Sequence, residues 1–238
     1  MNEHCFCCLL MLWARALRGT LANPQVISDV LMQRDRHPSK VSGKDFFREC
    51  AWAIYTTRTS KGAVDKVWTE VERVFYHWDY ELVCRNVGKV RSAALNIGIR
   101  FRVRKVEATI AVAQKLHDDG WAGIREQLIY GLKVDSQGNI IPDESVIKFL
   151  DRLPMVGRAN RRYISKNIGY DVAKPDEHLT SLGPRFGYAG DEGGVQQFAT
   201  EISQLVGERI SVVDTVLWWA DKLKTNLSFT CPACGRQR

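Results

Sequence analysis

The sequence predicts an all-α protein. Apolar residues recur at helical spacing through most of the chain, Gly, Pro, Asn and Asp separate the periodic stretches, and no strand-turn-strand series competes with them. Taken in order, the run 5–14 within MNEHCFCCLLMLWARALRGT reads as an amphipathic first helix. It is too short to span a bilayer, follows Glu3 instead of Lys or Arg, and precedes no clear small-residue cleavage pattern, so it does not read as a signal. Over 45–75, Phe46, Phe47, Cys50, Ala53 and Ile54, then Val64, Val67, Trp68, Val71 and Phe75, predict two packed helices broken by the polar TTRTSKG. The segment IRFRVRK at 99–105 alternates with period two and fits a short edge strand. With helices on both sides, it reads as a loop entering a helix. Residues 106–116, 121–130, 144–150 and 195–206 complete the helical set.

Composition narrows the class without naming a function. At 238 residues the chain forms one large domain or two small lobes, and 45% hydrophobic with 26% charged residues excludes a disordered or fibrous protein. Lys and Arg total 34 against 27 Asp and Glu, a formal charge of +7 that leans toward a polyanionic partner. Seven cysteines, three of them at Cys5, Cys7 and Cys8, make an odd number that does not suit a secreted disulfide framework. A cytoplasmic chain without a membrane partner is expected, nucleoid-associated if bacterial.

The stretch LPMVGRANRRYISKNIGYDVAKPDEHL, 153–179, carries the densest signal. The helix 144–150, a tight turn over 154–157 and a second helix over 158–168, ended by Gly169, make a helix, hairpin, helix unit. Backbone N–H groups of such a turn, Met155, Val156 and Gly157, point outward with the second helix's N-terminus and form an electropositive cradle for phosphate. Arg158, Arg161, Arg162 and Lys166, spaced by three or four, share a helical stripe beside it. A solvated charged face and an ordinary glycine turn would leave the same pattern. Asp176, after Pro175 and before EHLTSL, is a good helix N-cap.

The combination of LPMVG, a helix of about ten residues, Gly169 and DVAKPDEHL resembles the helix-hairpin-helix DNA glycosylases, the endonuclease III-like superfamily. FFRECAWAIYTTRTSKGAVDKVW is similar to that family's early helix pair, LNIGIRFRVRKVEATIAVAQKL to its glycine, basic, long-helix segment, and ERISVVDTVLWWA to its closing helix. The likeness covers 42–220. It implies two helical lobes with the hairpin beside an interlobe cleft, divided as an N-terminal segment 1–40, a core 41–178 and a C-terminal segment 179–238. It implies a monomer that acts on double-stranded DNA with a damaged, mismatched or hypermodified base, in base excision repair or anti-phage defence. Asp176 is the implied catalytic residue, and an alkali-metal ion at the hairpin is implied as well.

Two departures from the pattern matter. Family members that also cut the strand carry a lysine where this chain has Ala159, and an imine with the sugar requires an amine. Neither Lys166 nor Lys174 matches that position, so a glycosylase without lyase activity is expected. The family's iron–sulfur cluster needs four C-terminal cysteines, whereas the tail offers CPAC alone, Cys231 and Cys234. A structural zinc completed by Cys5 and Cys7, with His4 and Cys8 as further donors, is one alternative, and simple burial of unliganded thiols is the other. By position in the resemblance, Arg58, Ile99, Arg100 and Phe101 are candidates to fill the gap left by an extruded base, with Arg102 and Arg104 able to meet phosphates. Trp52, Tyr55, Trp218 and Trp219 are candidates to stack the base, although tryptophans at helical spacing also suit a core.

Overall fold

Side-chain caps set many of the element boundaries. Asn23, Ser60, Asp79, Asp143, Asp176 and Asp191 each accept a backbone N–H at the start of a helix, and Ser42 with Asp45 forms a reciprocal capping box. The structure, a computed structural model, describes residues 5–136 and 138–238. In chain order the helices are α1 (Phe6–Thr20), α2 (Pro24–Asp35), α3 (Gly43–Thr56), α4 (Lys61–Asp65), α5 (Trp68–Val74), α6 (Tyr80–Arg85), α7 (Val87–Ala94), α8 (Arg102–Asp119) and α9 (Trp121–Tyr130). A hairpin of β1 (Leu132–Val134) and β2 (Ile140–Pro142) follows, then α10 (Glu144–Asp151), α11 (Arg158–Asn167), α12 (Glu177–Leu182), α13 (Glu192–Val206) and α14 (Ile210–Lys222). The protein is all-α apart from that hairpin. No described helix is long and apolar enough to cross a membrane.

The chain divides into two compact units. The first takes residues 5–36, 134–141 and 169–238, so its divisions fall near 36 and 168. Its core joins Leu9, Leu12, Trp13 and Ala16 of α1 to Phe198 and Ile202 of α13, Val213, Val216 and Leu217 of α14, and Leu227, Phe229 and Cys231 of the tail. Each large aliphatic or aromatic side chain so buried stabilises the unit by about 1.5–3 kcal/mol. Arg209 ties its strands of chain together by donating to the carbonyls of Gln33 (2.8 Å), Arg36 (2.7 Å) and Gly169 (2.8 Å). Gly169, at φ 104°, adopts a conformation that glycine alone takes at no steric cost.

The second unit holds residues 37–133 and 142–168. Phe46, Phe47, Ile54 and Tyr55 of α3 and Ile110, Val112 and Ala113 of α8 are buried where these helices pack. Phe75 and Trp78 meet Phe47 edge-on at 6.3 and 6.0 Å, and Trp68 stacks on Trp78 at 4.9 Å.

Three local expectations change. The second helix of 45–75 is split into α4 and α5, because Val67 (φ −112°, ψ −3°) departs from helical geometry. Helix α8 begins at Arg102, four residues before the expected start, directly after Phe101 in a left-handed conformation (φ 57°). Strands β1 and β2 escape notice because three residues are too few to display a period of two.

Candidate functional site

In the second unit α10 and α11 are joined by a tight turn. Leu153 N donates to Leu150 O (3.1 Å), Val156 N to Leu153 O (3.2 Å), and Arg161 N to Gly157 O (2.9 Å) as α11 begins. Met155 occupies the left-handed region at φ 58°, an uncommon conformation for a residue with a side chain. Gly157 has an ordinary φ of −101°, and a Cβ there would meet nothing within 4 Å. The chain itself therefore gives no steric reason for glycine, whereas close approach of an external group to the backbone N–H groups would. Leu153 O accepts from Val156 N (3.2 Å) and Met155 O from Asn160 Nδ2 (3.3 Å), and each carbonyl keeps a second lone pair.

The arginine stripe is less uniform than its spacing suggests. Arg158 is exposed at the first helical position, but Arg161 forms an ion pair with Asp151 (2.7 Å) across the hairpin and is only 16% exposed. Arg162 and Lys166 also have partners within the chain, and Lys166 is buried. Ala159, at the position where the resemblance leads one to expect lysine in a strand-cutting enzyme, is half-buried.

Two side chains gather three segments of this unit. Asn160 Nδ2 reaches Thr57 Oγ1 (2.7 Å), Ala53 O (3.1 Å) and Met155 O, binding the turn to the end of α3. Lys105, in the first turn of α8, donates to Tyr55 O (2.5 Å) and Thr59 Oγ1 (2.6 Å), so a cation sits at the carbonyl end of α3. Burial pulls its ammonium down to about 8. The two links bring together the turn, the loop with Arg58 and the loop with Arg100 and Phe101. Arg58 (φ 52°) and Phe101 (φ 57°) are both exposed and both left-handed, and Arg100 lies over the Phe101 ring at 4.7 Å. A side chain held in that region costs about 1–3 kcal/mol and persists only where its surroundings impose it. Glu49 of α3 adds a third clasp by accepting from Tyr163 (3.3 Å) and Asn167 (3.0 Å) of α11.

In the first unit Asp176 caps the six-residue α12. Its Oδ1 accepts from His178 N (3.1 Å) and Leu179 N (3.4 Å), while Oδ2 faces Lys174 Nζ at 3.5 Å. One oxygen is thus spent on the backbone and the other is left for a cation. His178 pairs with Asp221 through Nδ1 and meets Trp218 edge-on at 6.1 Å.

The stacking candidates divide. Tyr55 is wholly buried beside Trp68 and belongs to the core, so its ring faces are not available to a base. Trp52 packs edge-on against Trp68 at 4.6 Å and is half-buried, as are Trp218 and Trp219; Trp219 also donates to Asp29 (2.9 Å).

The metal candidates need one correction. The four sulfurs that converge, all within 4.8 Å of one another, are Cys5, Cys8, Cys231 and Cys234. Cys8 takes the place expected of Cys7: residues 5 and 8 lie one helical turn apart at the start of α1, whereas the Cys7 thiol meets Cys231 from outside the set of four. His4 lies outside the described residues.

Lys105 and Asn160 were not anticipated. A signal for Lys105 exists: it shares a helical face with Ala108, Thr109 and Val112, all buried. Asn160 leaves none, since its partners at the end of α3, Thr57 and Ala53, lie 103 and 107 residues away.

No protein-family profile matches the chain, and no curated protein matches its sequence. Solved structures do. The 8-oxoguanine glycosylase/lyase of Methanocaldococcus jannaschii, in complex with a DNA 15mer containing 8-oxoguanine, aligns with a TM-score of 0.63 and 14% identity over 91% of this chain and 98% of that one. The 8-oxoguanine DNA glycosylase of Thermotoga maritima aligns with a TM-score of 0.60 and 18% identity over 90% of this chain and 97% of its own. The chain shares the fold of these 8-oxoguanine DNA glycosylases.

Proposed function

We propose that the chain is a DNA glycosylase that hydrolyses the N-glycosidic bond of a damaged, mismatched or hypermodified base in duplex DNA and leaves an abasic site, in base excision repair or in anti-phage defence. The observation that carries this reading is Asp176: on a fold shared with DNA glycosylases, the short helix after the hairpin begins with a carboxylate that has one oxygen free of backbone bonds. Base loss develops positive charge on the deoxyribose. A carboxylate beside that sugar stabilises the charge and orients or deprotonates the attacking water.

The remaining residues divide the binding work. The N–H groups of Met155 and Gly157, with Arg158, meet the phosphate backbone, whereas the Val156 N–H is spent on Leu153 O within the turn and Arg161 braces the turn through Asp151. A base inside a duplex has to leave the stack before its sugar is accessible, and Arg58, Arg100 and Phe101 are the exposed side chains suited to fill the gap. The M. jannaschii neighbour is named a glycosylase/lyase. Here Ala159 has no amine, which supports hydrolysis without strand cleavage.

The test is incubation of the purified chain with duplexes bearing single alkylated, oxidised, deaminated, mispaired or hypermodified bases, with alkali then revealing abasic sites. Alkali-dependent cleavage at one class of base supports the proposal. Tight DNA binding with no abasic site on any substrate would leave a non-catalytic DNA-binding module in its place.

A further inference from the structure

We propose that Cys5, Cys8, Cys231 and Cys234 bind one zinc ion as a tetrathiolate that staples the start of α1 to the C-terminal tail. The proposal does not depend on the glycosylase reading, since none of the four cysteines serves the proposed chemistry.

The donors come as two Cys-x-x-Cys pairs. In the tail, Cys231-Pro-Ala-Cys234-Gly235 is folded as a knuckle: Gly235 N donates to Cys231 O (2.8 Å), and Gly235 takes φ 67°, open to glycine at no steric cost. Phe229 and Arg238 exchange backbone hydrogen bonds of 3.0 and 2.8 Å, Cys231 N donates to Arg236 O (2.9 Å), and Thr230 bridges Gln237, so the knuckle is the tip of a small hairpin. At the other end of the chain Cys5 is the N-cap residue of α1 but makes no side-chain cap, and Cys8 N donates to Cys5 O (2.8 Å), which brings both thiols to one side of the first turn.

The separations suit a single ion. Cys5 and Cys231 sulfurs are 3.7 Å apart, and those of Cys8 and Cys234 are 3.5 Å apart. Tetrahedral zinc with bonds of about 2.3 Å sets its sulfurs about 3.8 Å from one another. A disulfide needs about 2.05 Å and gives two sulfurs no reason to converge on two others. An iron–sulfur cluster puts several irons between its thiolates and holds them further apart than one ion does. Zinc is chosen over ferrous iron because a thiolate site binds zinc more tightly.

The surroundings also suit a negatively charged centre. Four thiolates around a divalent ion carry two net negative charges, and the N–H groups that open the fifteen-residue α1 face that region. Arg238 reaches the Cys8 thiol, and its Nε is buried without another hydrogen-bond partner. Cys8 and Cys231 are buried, whereas Cys234 is exposed, leaving a path for the ion to enter. Bound zinc would close a loop of more than two hundred residues and hold Leu9, Leu12 and Trp13 of α1 against Leu227 and Phe229 of the tail.

The test is metal analysis of the full chain purified without added metal, with release of the ion by a thiol-blocking mercurial. The expected result is one zinc per chain, released as four thiols are titrated, and tetrahedral tetrathiolate charge-transfer bands on cobalt substitution. Cys5→Ser and Cys234→Ser should each lose the zinc and lower Tm by more than about 5 °C, whereas Cys7→Ser keeps both. If these variants do not fold, mercurial release from the wild type still decides the matter. A folded wild type free of metal, iron in place of zinc, or zinc retained by both serine variants overturns the proposal.

Discussion

Asp176→Asn separates the chemical role of this side chain from its structural one. An asparagine keeps an oxygen to accept from His178 N and Leu179 N, so the cap on α12 survives. What is lost is the ion pair with Lys174 at 3.5 Å and the negative charge at a helix start. For a carboxylate that is 13% exposed and a helix of six residues, these together contribute about 1 kcal/mol. Tm should fall by about 2–4 °C in a chain of this size. The catalytic loss should be far larger: removing a positioned acid–base group typically costs about 10²–10⁴ in rate, roughly 3–5 kcal/mol in barrier. Single-turnover base release on a duplex identified by the substrate screen measures the rate, calorimetry the stability, and fluorescence anisotropy the DNA affinity, which should hold or tighten as repulsion from phosphates is relieved. A variant that releases bases within tenfold of the wild-type rate would refute the catalytic assignment. A rate loss accompanied by a Tm drop of more than about 10 °C would refute the separation of roles.

Because Ala159 offers no amine, wild-type product should break only after alkali or heat, and borohydride should trap no protein–DNA adduct; a trapped adduct would assign the amine to Lys166, Lys174 or another lysine. Arg158→Ala should weaken DNA binding regardless of sequence and reduce the salt slope by about one phosphate contact, read from anisotropy titrations at several salt concentrations; an unchanged slope would make this arginine a solvated surface group. Asn160→Ala removes the donor to Thr57 and Ala53, at a cost of about 1–3 kcal/mol, visible as a fall in Tm and as weaker DNA binding because the turn is no longer held. For Lys105, the folded pKa of about 8 lies below the ordinary 10.5, so between those values the unfolded chain binds the extra proton and stability from this group rises with pH. The Tm of wild type relative to Lys105→Met should therefore improve from pH 7.5 to pH 10, and a flat difference would show that the ammonium is not desolvated.

Local signals were legible without a structure. The helical periods of α3, α8, α10 and α13, the glycines that end helices, the hairpin over 144–168 and the capping role of Asp176 all rest on residues a few positions apart, where backbone geometry alone sets the pattern. Tertiary structure decided the rest. Lys105 finds its acceptors 46 and 50 residues away, Asn160 reaches across more than a hundred, and Cys5 meets Cys231 across 226. The same long-range packing buried Tyr55 and brought Cys231 and Cys234 of the tail to Cys5 and Cys8. Arg161 shows the limit at shorter range: its helical position is readable, but its pairing with Asp151 depends on how tightly the turn closes. A sequence records which side chains share a face of one helix, because 3.6 residues per turn is a property of the backbone; which distant chain that face meets is set only when the apolar surfaces of several helices are buried together.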